Sequence, residues 1–241
     1  MRYAIVSDVH SNLESLGVML EMLRDDDGLL CLGDIVGYGP NPNECVDLIR
    51  RRATEVVLGN HDVAATDNFG VEYFNPFARN AIEWTQREIS KDSVEWLNTL
   101  SYEIRTPEYL MVHGAPKHYF EYILDKRAAS RAFKNTDAPL IFVGHTHIAD
   151  YYTLQADGTI DHAHMQNGGS LTLAEGARYI INAGSVGQPR DLNPKAAFAW
   201  YDDAQKTIEF VRYDYPIATV QEKIRAAGLP EALATRLDAG R

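Results

Sequence analysis

Cysteine is scarce here: 241 residues hold only Cys31 and Cys45. Two isolated thiols make neither a disulfide framework nor a zinc-finger pattern, and both read as small buried hydrophobes. No apolar run reaches the ~18 residues that a membrane-spanning helix needs. The opening residues read as a strand, Arg2 to Ser7, rather than as a basic segment leading into a long apolar stretch. A cytoplasmic protein with no membrane partner is therefore expected. Basic residues are outnumbered, 23 against 34 acidic, for a formal charge of −11. That field repels a phosphate backbone and argues against a long nucleic-acid partner. Fixed-period repeats, low-complexity tracts and Ser/Gly-rich linkers are missing as well, so one domain over residues 1–241 is expected.

What is present is a series of short apolar runs, each ending in polar residues. Tyr3 to Val6 runs into Ser7–Asp8, Leu29 to Leu32 into Gly33–Asp34, and Val56 to Leu58 into Gly59–Asn60–His61–Asp62. Between the first two lies a helical stripe, Leu13, Leu16, Leu20 and Leu23, behind an S-x-x-E capping box formed by Ser11 and Glu14. A second helix starts at Asn41–Pro42, with the proline at its first position and Cys45, Val46 and Ile49 facing inward. The resulting β-α-β-α-β order implies parallel strands, whose ligands bind beyond their carboxyl ends. Residues 63–107 read as an inserted helical region, with helices over 76–90 and 93–100. Strands return at 109–112 and 140–143, each followed by histidine. Antiparallel hairpins are expected from about 150 to 215, and a helical tail over about 216–241.

The polar clusters at these strand ends carry the chemistry. They are Asp8-x-His10, Gly33–Asp34, Gly59–Asn60–His61–Asp62, His113–Gly114 and Gly144–His145–Thr146–His147, which contain five of the eight histidines. Carboxylate and imidazole together suit first-row divalent metals such as Mn, Fe and Zn. A carboxylate such as Asp34 has enough lone pairs to bridge two ions, and an Asn oxygen adds a ligand without charge. A lone Asp-x-His is more often a turn, and a lone strand-end His is more often structural. Five such clusters, all at the ends of apolar strands, point to a metal site.

The order D-x-H, G-D, G-N-H-D, H-G, G-H-T-H resembles the calcineurin-like metallophosphoesterases. Later segments, Val112 to Pro116 and Asn182 to Asp191, resemble smaller bacterial members related to diadenosine tetraphosphatases and Ser/Thr protein phosphatases. The resemblance implies a four-layer α/β/β/α sandwich of two mixed sheets flanked by helices. It implies one metal held by Asp8, His10, Asp34 and His147 and a second by Asp34, Asn60, His113 and His145. The two ions, divalent or trivalent, would be Mn or Fe, with Zn, Ni and Co as alternatives. The implied reaction is hydrolysis of a phosphate mono- or diester by a metal-bridging hydroxide, with His61 as general acid and Asp62 holding its other ring nitrogen.

Small phosphorylated substrates follow from this: nucleotides, dinucleoside polyphosphates or phosphoproteins. Arg190 is a candidate for a phosphate contact, with an exposed turn arginine paired to Asp191 as the alternative. Tyr38 and Phe74 are candidates for base stacking, although most aromatics around the site (Phe69, Tyr73 and Phe77 among them) read as core. Two other readings stay open. One is a metal-binding scaffold of the same fold without catalysis, as in a retromer subunit of the family; the presence of His61 and Asp62 weighs against it. The other is a metal-dependent amidohydrolase, which the G-N-H-D block argues against. The oligomeric state is open, a homodimer included.

Overall fold

The computed structural model describes residues 1–67 and 69–241; residue 68, inside the 63–107 stretch, lies outside the described residues. The described strands form two six-stranded sheets. The first runs in the order β3 (Glu55–Val56), β2 (Gly28–Cys31), β1 (Arg2–Val6), β11 (Ala196–Asp202), β12 (Thr207–Tyr213) and β9 (Gly169–Thr172). The second runs β4 (Glu103–Arg105), β5 (Leu110–Val112), β6 (Leu140–Val143), β10 (Arg178–Ala183), β7 (Ala149–Leu154) and β8 (Ile160–His164). The β3-β2-β1 and β5-β6-β10 pairings are parallel and the remainder antiparallel, so both sheets are mixed.

Alternation along the strands explains the four layers. Ala4 and Val6 of β1 join Leu29 and Cys31 of β2 in one cluster, while Ile5 and Leu30 point the other way. The outer cluster packs against α1 (Leu13–Glu21), α2 (Pro42–Arg52), α3 (Asn60–Asp67), α4 (Pro76–Glu88), α5 (Lys91–Leu97), α7 (Ile217–Ala226) and α8 (Glu231–Ala239). Ile5 and Leu30 meet Met111, Phe142 and Ile181 of the second sheet in the layer between the sheets. Leu110, Val112, Ile141 and Val143 face outward onto α6 (Lys126–Lys134) through Ala128, Ala129, Ala132 and Phe133. The central strands are thus buried on both faces, which is why they read as unbroken apolar runs. Each fully buried Leu, Ile or Phe stabilises this arrangement by ~1.5–3 kcal/mol relative to exposure.

Several local expectations are corrected. Ser11 is not a helix cap: its backbone sits in the left-handed region (φ 54°), and Asn12 caps α1 instead, accepting from the Ser15 N–H at 3.1 Å. The third strand is only two residues long; Val57 continues it as a single parallel bridge to Ser101. Helix α6, unread in the sequence, lies between β5 and β6. Within 150–215, β7 and β8 form an antiparallel hairpin, but β10 also pairs in parallel with β6. The tail is two helices, broken at Gly228 (φ 70°) and Pro230. Among the described residues no helix is long and apolar enough to cross a membrane.

Candidate metal centre

Six side chains, Asp8, His10, Asp34, His113, His145 and His147, converge where the carboxyl ends of the two sheets' strands meet, and the seventh expected residue, Asn60, borders a cleft beside His145. Asp8 and His10 follow β1, Asp34 follows β2 and Asn60 opens α3 just beyond β3; His113 follows β5, and His145 and His147 follow β6. Five of the seven, Asp8, His10, Asp34, His145 and His147, have φ between 49° and 67°. A non-glycine residue in that region costs ~1–2 kcal/mol, so the packing around them must hold them there. Gly144 shows how tight that packing is: a Cβ on it would lie 1.8 Å from Ser7 Oγ and 2.8 Å from Asp8 Oδ2.

The side chains sort into two groups that share Asp34. In one, Asp8, His10, Asp34 and His147 each place a ligand atom within 4.8 Å of the others; in the second, Asp34, His113 and His145 do so. Asp34 Oδ2 is 3.6 Å from His10 Nε2 and 3.3 Å from His113 Nε2, while its Oδ1 accepts the His61 backbone N–H at 2.8 Å. Asp8 Oδ1 is 3.2 Å from His147 Nε2, and its Oδ2 accepts the His145 backbone N–H at 3.0 Å.

The histidine tautomers follow from their outer partners. His10 Nδ1 donates to the Val36 carbonyl at 3.0 Å, and His147 Nδ1 to that of Gln188 at 2.6 Å. Their inward Nε2 atoms are therefore lone pairs, yet they face each other at 3.2 Å. Likewise His113 Nδ1 donates to Leu32 O at 2.7 Å and His145 Nε2 to Phe120 O at 3.0 Å, leaving His113 Nε2 and His145 Nδ1 face to face at 3.1 Å. Two lone pairs at that distance repel unless a cation or a proton lies between them. A carbonyl holding one ring nitrogen so that the other presents its lone pair inward is how histidine is prepared as a metal ligand. The buried Oδ1 atoms of Asp8 and Asn60 have no hydrogen-bond partner among the described residues, which also fits a metal ion and not a protein donor.

The electrostatics agree. Burial raises the Asp8 carboxyl, but the neighbouring His147 and His113 outweigh it and hold Asp8 well below the usual carboxylate range. Burial likewise opposes ionisation of Asp34, and His113 and His61 again outweigh it. Burial lowers His10 and His147, and pushes His145 down to about 3, helped by His113. His113 is the exception: burial lowers it, but Asp34 and Asp8 raise it to about 9. The two carboxylates draw positive charge to this point.

His61 lies beside the centre with its ring 4.7 Å from His10, 4.5 Å from Tyr38 and 4.7 Å from Phe74. Burial pushes it down to about 4; Asp34 opposes this and the Arg190 guanidinium adds to it. Its Nδ1 has no hydrogen-bond partner among the described residues. The expected Asp62–His61 pairing is corrected: Asp62 accepts the backbone N–H of Ile35 at 2.9 Å, Val36 at 3.1 Å and Gly59 at 3.0 Å. Asp62 therefore ties the N-terminus of α3 to the loop after β2, in the manner of a capping-box acid. Gly37 packs against the ring where a partner would stand, since a Cβ there would lie 2.5 Å from His61 Nδ1.

Arg190 does not pair with Asp191, whose carboxylate is held by Arg212 in a buried ion pair. Its guanidinium instead donates to Gln188 Oε1 at 3.0 Å and lies 5.5 Å over the Tyr38 ring, with Nε unpartnered among the described residues. Tyr38 is buried against His10 and His61. Phe69, Tyr73 and Phe77 are not core as expected but 66%, 86% and 53% exposed. With Phe74, Phe120 and Tyr122, Phe69 and Tyr73 line a cleft of about 350 Å³ that Asn60 and His145 also border. Tyr122, which sequence reasoning missed, stacks on His145 with centroids 3.8 Å apart. An exposed tyrosine ten residues beyond the end of β5 carries no signal of that contact.

Comparison with known proteins agrees with this geometry. Residues 1–204 match the model of the calcineurin-like phosphoesterase superfamily domain. An uncharacterized protein of Methanocaldococcus jannaschii is 39% identical over 99% of this chain and 98% of its own length. The crystal structure of a metallophosphoesterase from Sphaerobacter thermophilus superposes with a TM-score of 0.87 at 41% identity, covering 100% of this chain and 99% of that one. A hypothetical protein of Pyrococcus horikoshii shares the fold, with a TM-score of 0.78 at 17% identity over 100% and 98% of the two chains.

Proposed function

The chain belongs to the calcineurin-like phosphoesterase superfamily, and from that premise we propose that it hydrolyses phosphate mono- or diesters with two metal ions. One ion is assigned to Asp8, His10, Asp34 and His147, the other to Asp34, Asn60, His113 and His145. The observation that carries this reading is the two pairs of inward-facing imidazole nitrogens, 3.2 and 3.1 Å apart, beside the shared Asp34. When bound, such ions lower the pKa of a water toward ~7 and neutralise charge on phosphoryl oxygens.

The chain's own residues supply the rest. Arg190 has no carboxylate partner among the described residues, because Arg212 takes Asp191, so its guanidinium is available to a substrate phosphate. Burial keeps His61 neutral at pH 7 until the negative charge of a phosphoryl group raises its proton affinity. The protonated ring then donates to the leaving oxygen. Asp62 acts as a positioning residue, holding the loop and helix that carry Asp34, Asn60 and His61. The aromatic cleft beside Asn60 and His145 has the size and flat walls to take a base or aryl group, which favours nucleotides or dinucleoside polyphosphates.

The test is metal analysis joined to hydrolysis of p-nitrophenyl phosphate, its bis-ester, nucleotides and dinucleoside polyphosphates with Mn²⁺. About two bound metals per site and turnover on at least one substrate are expected. Metal uptake without turnover on any of them would instead support a non-catalytic scaffold, and no uptake above trace would end both readings.

A further inference from the structure

A second histidine–carboxylate cluster lies on the outer face of the second sheet, built from none of the seven side chains above. In the β7/β8 pairing Asp150 stands opposite His164 and Tyr152 opposite His162, so all four side chains share one face. Asp150 Oδ2 is 2.8 Å from His162 Nε2 and 3.9 Å from His164 Nδ1. One donor atom from each of the three residues lies within 4.8 Å of the other two. The Asp150 carboxylate is buried, the His162 side chain is mostly covered, and that of His164 is 63% exposed. The cluster is therefore closed on the protein side and open to water.

The ring positions are set by packing. His162 stacks flat on Tyr152, centroids 4.1 Å apart and planes 4° from parallel. His164 stands edge-on to His162 at 4.5 Å. An ordinary Asp–His hydrogen bond accounts for the first contact alone. It leaves unexplained why an exposed imidazole turns a ring nitrogen back toward the same carboxylate oxygen from the neighbouring position of an edge strand. Strand β8 also ends the sheet, and natural proteins restrain such edges.

We propose that Asp150, His162 and His164 form a third metal site, which takes one divalent cation of the Zn²⁺ class. Two imidazole nitrogens and one carboxylate oxygen make a three-ligand set that suits zinc, with the remaining position left to water on the open side. Bound there, the cation ties the edge strand β8 to β7. The site takes no part in phosphoester hydrolysis and does not rest on that reading.

The experiment compares wild type with His164→Ala, a surface substitution that leaves the buried Asp150–His162 contact in place. Both are stripped with chelator, reloaded with Zn²⁺, and freed of loose ion by gel filtration; metal per chain is then counted. Wild type retains one equivalent more than His164→Ala, and His164→Cys, which restores a zinc ligand, recovers it. Co²⁺ loaded in place of Zn²⁺ shows visible absorption of a low-coordinate site that weakens in His164→Ala. Turnover of p-nitrophenyl phosphate is unchanged in both variants. Equal metal content in wild type and His164→Ala overturns the proposal. The count is a difference between two proteins with the same inter-sheet centre, so a failure of the phosphoesterase reading does not alter it.

Discussion

At the scale of single residues, the centre is organised by backbone carbonyls as much as by its ligands. Val36, Gln188, Leu32 and Phe120 each hold the outer nitrogen of one histidine and so decide which nitrogen faces inward. Among the described residues His61 Nδ1 lacks such a partner, and this separates it from the four. Replacing it should spare metal binding. His61→Ala is expected to keep wild-type metal content and lose ~10²–10⁴-fold in turnover on substrates with poor leaving groups. Unchanged turnover on such substrates removes His61 from the chemistry. His113, raised to about 9, holds a proton at pH 7 in metal-free protein. Metal uptake at its centre is therefore expected to release about one proton, so affinity climbs with pH up to about 9. Calorimetry in buffers of different ionisation heat reads this directly; buffer-independent enthalpies would count against it. The sign for folding follows from the same shift. A raised pKa in the folded, metal-free protein stabilises it below the ordinary imidazole value of ~6.5, and this contribution is lost as pH rises through about 9.

At the scale of elements, the loops between strand ends and helices carry the centre, and their local geometry is the part least visible in the sequence. Asn12 shows why. Its Oδ1 caps α1 while its Nδ2 donates to Gly187 O at 2.9 Å, joining the first loop to the one that carries Gln188 and Arg190. Asn12→Ala removes a cap worth ~0.5–2 kcal/mol and strands a buried carbonyl. A loss of ~2–3 kcal/mol in denaturant unfolding is expected, and a loss below ~0.5 kcal/mol would show the bridge to be idle. Ser11 and Glu14 have the right spacing for a capping box, but Ser11 sits at φ 54° to bring His10 inward, and the cap moves on by one residue. The strands and their polar ends were legible because burial on both faces leaves unbroken apolar runs. Helix α6 was not, because three of its four buried positions are alanines among lysines and arginines. The cleft aromatics were misread because Phe and Tyr serve equally as core and as exposed wall. The role of Asp62 depends on backbone donors 26 and 27 residues away, which no local pattern encodes.

At the scale of the whole molecule, each candidate group of ligands draws on both sheets: Asp8, His10 and Asp34 from the first with His147 from the second, and Asp34 with His113 and His145; Asn60, proposed to join the latter, also comes from the first. Ions held there bind the folded arrangement and not the open chain. Free metal at about a thousand times Kd stabilises by ~4 kcal/mol per site. Chelation is accordingly expected to lower the melting temperature by several degrees, with recovery on adding Mn²⁺. A melting temperature indifferent to both treatments would mean that the ions do not link the layers.

That division of ligands also sets how the chain can be cut. Residues 1–62 and 110–147 each hold part of both groups, so a break anywhere between them divides both groups at once. A protein supplied as two such pieces would be chemically silent in either half, and its activity would return only at the rate at which the halves find each other.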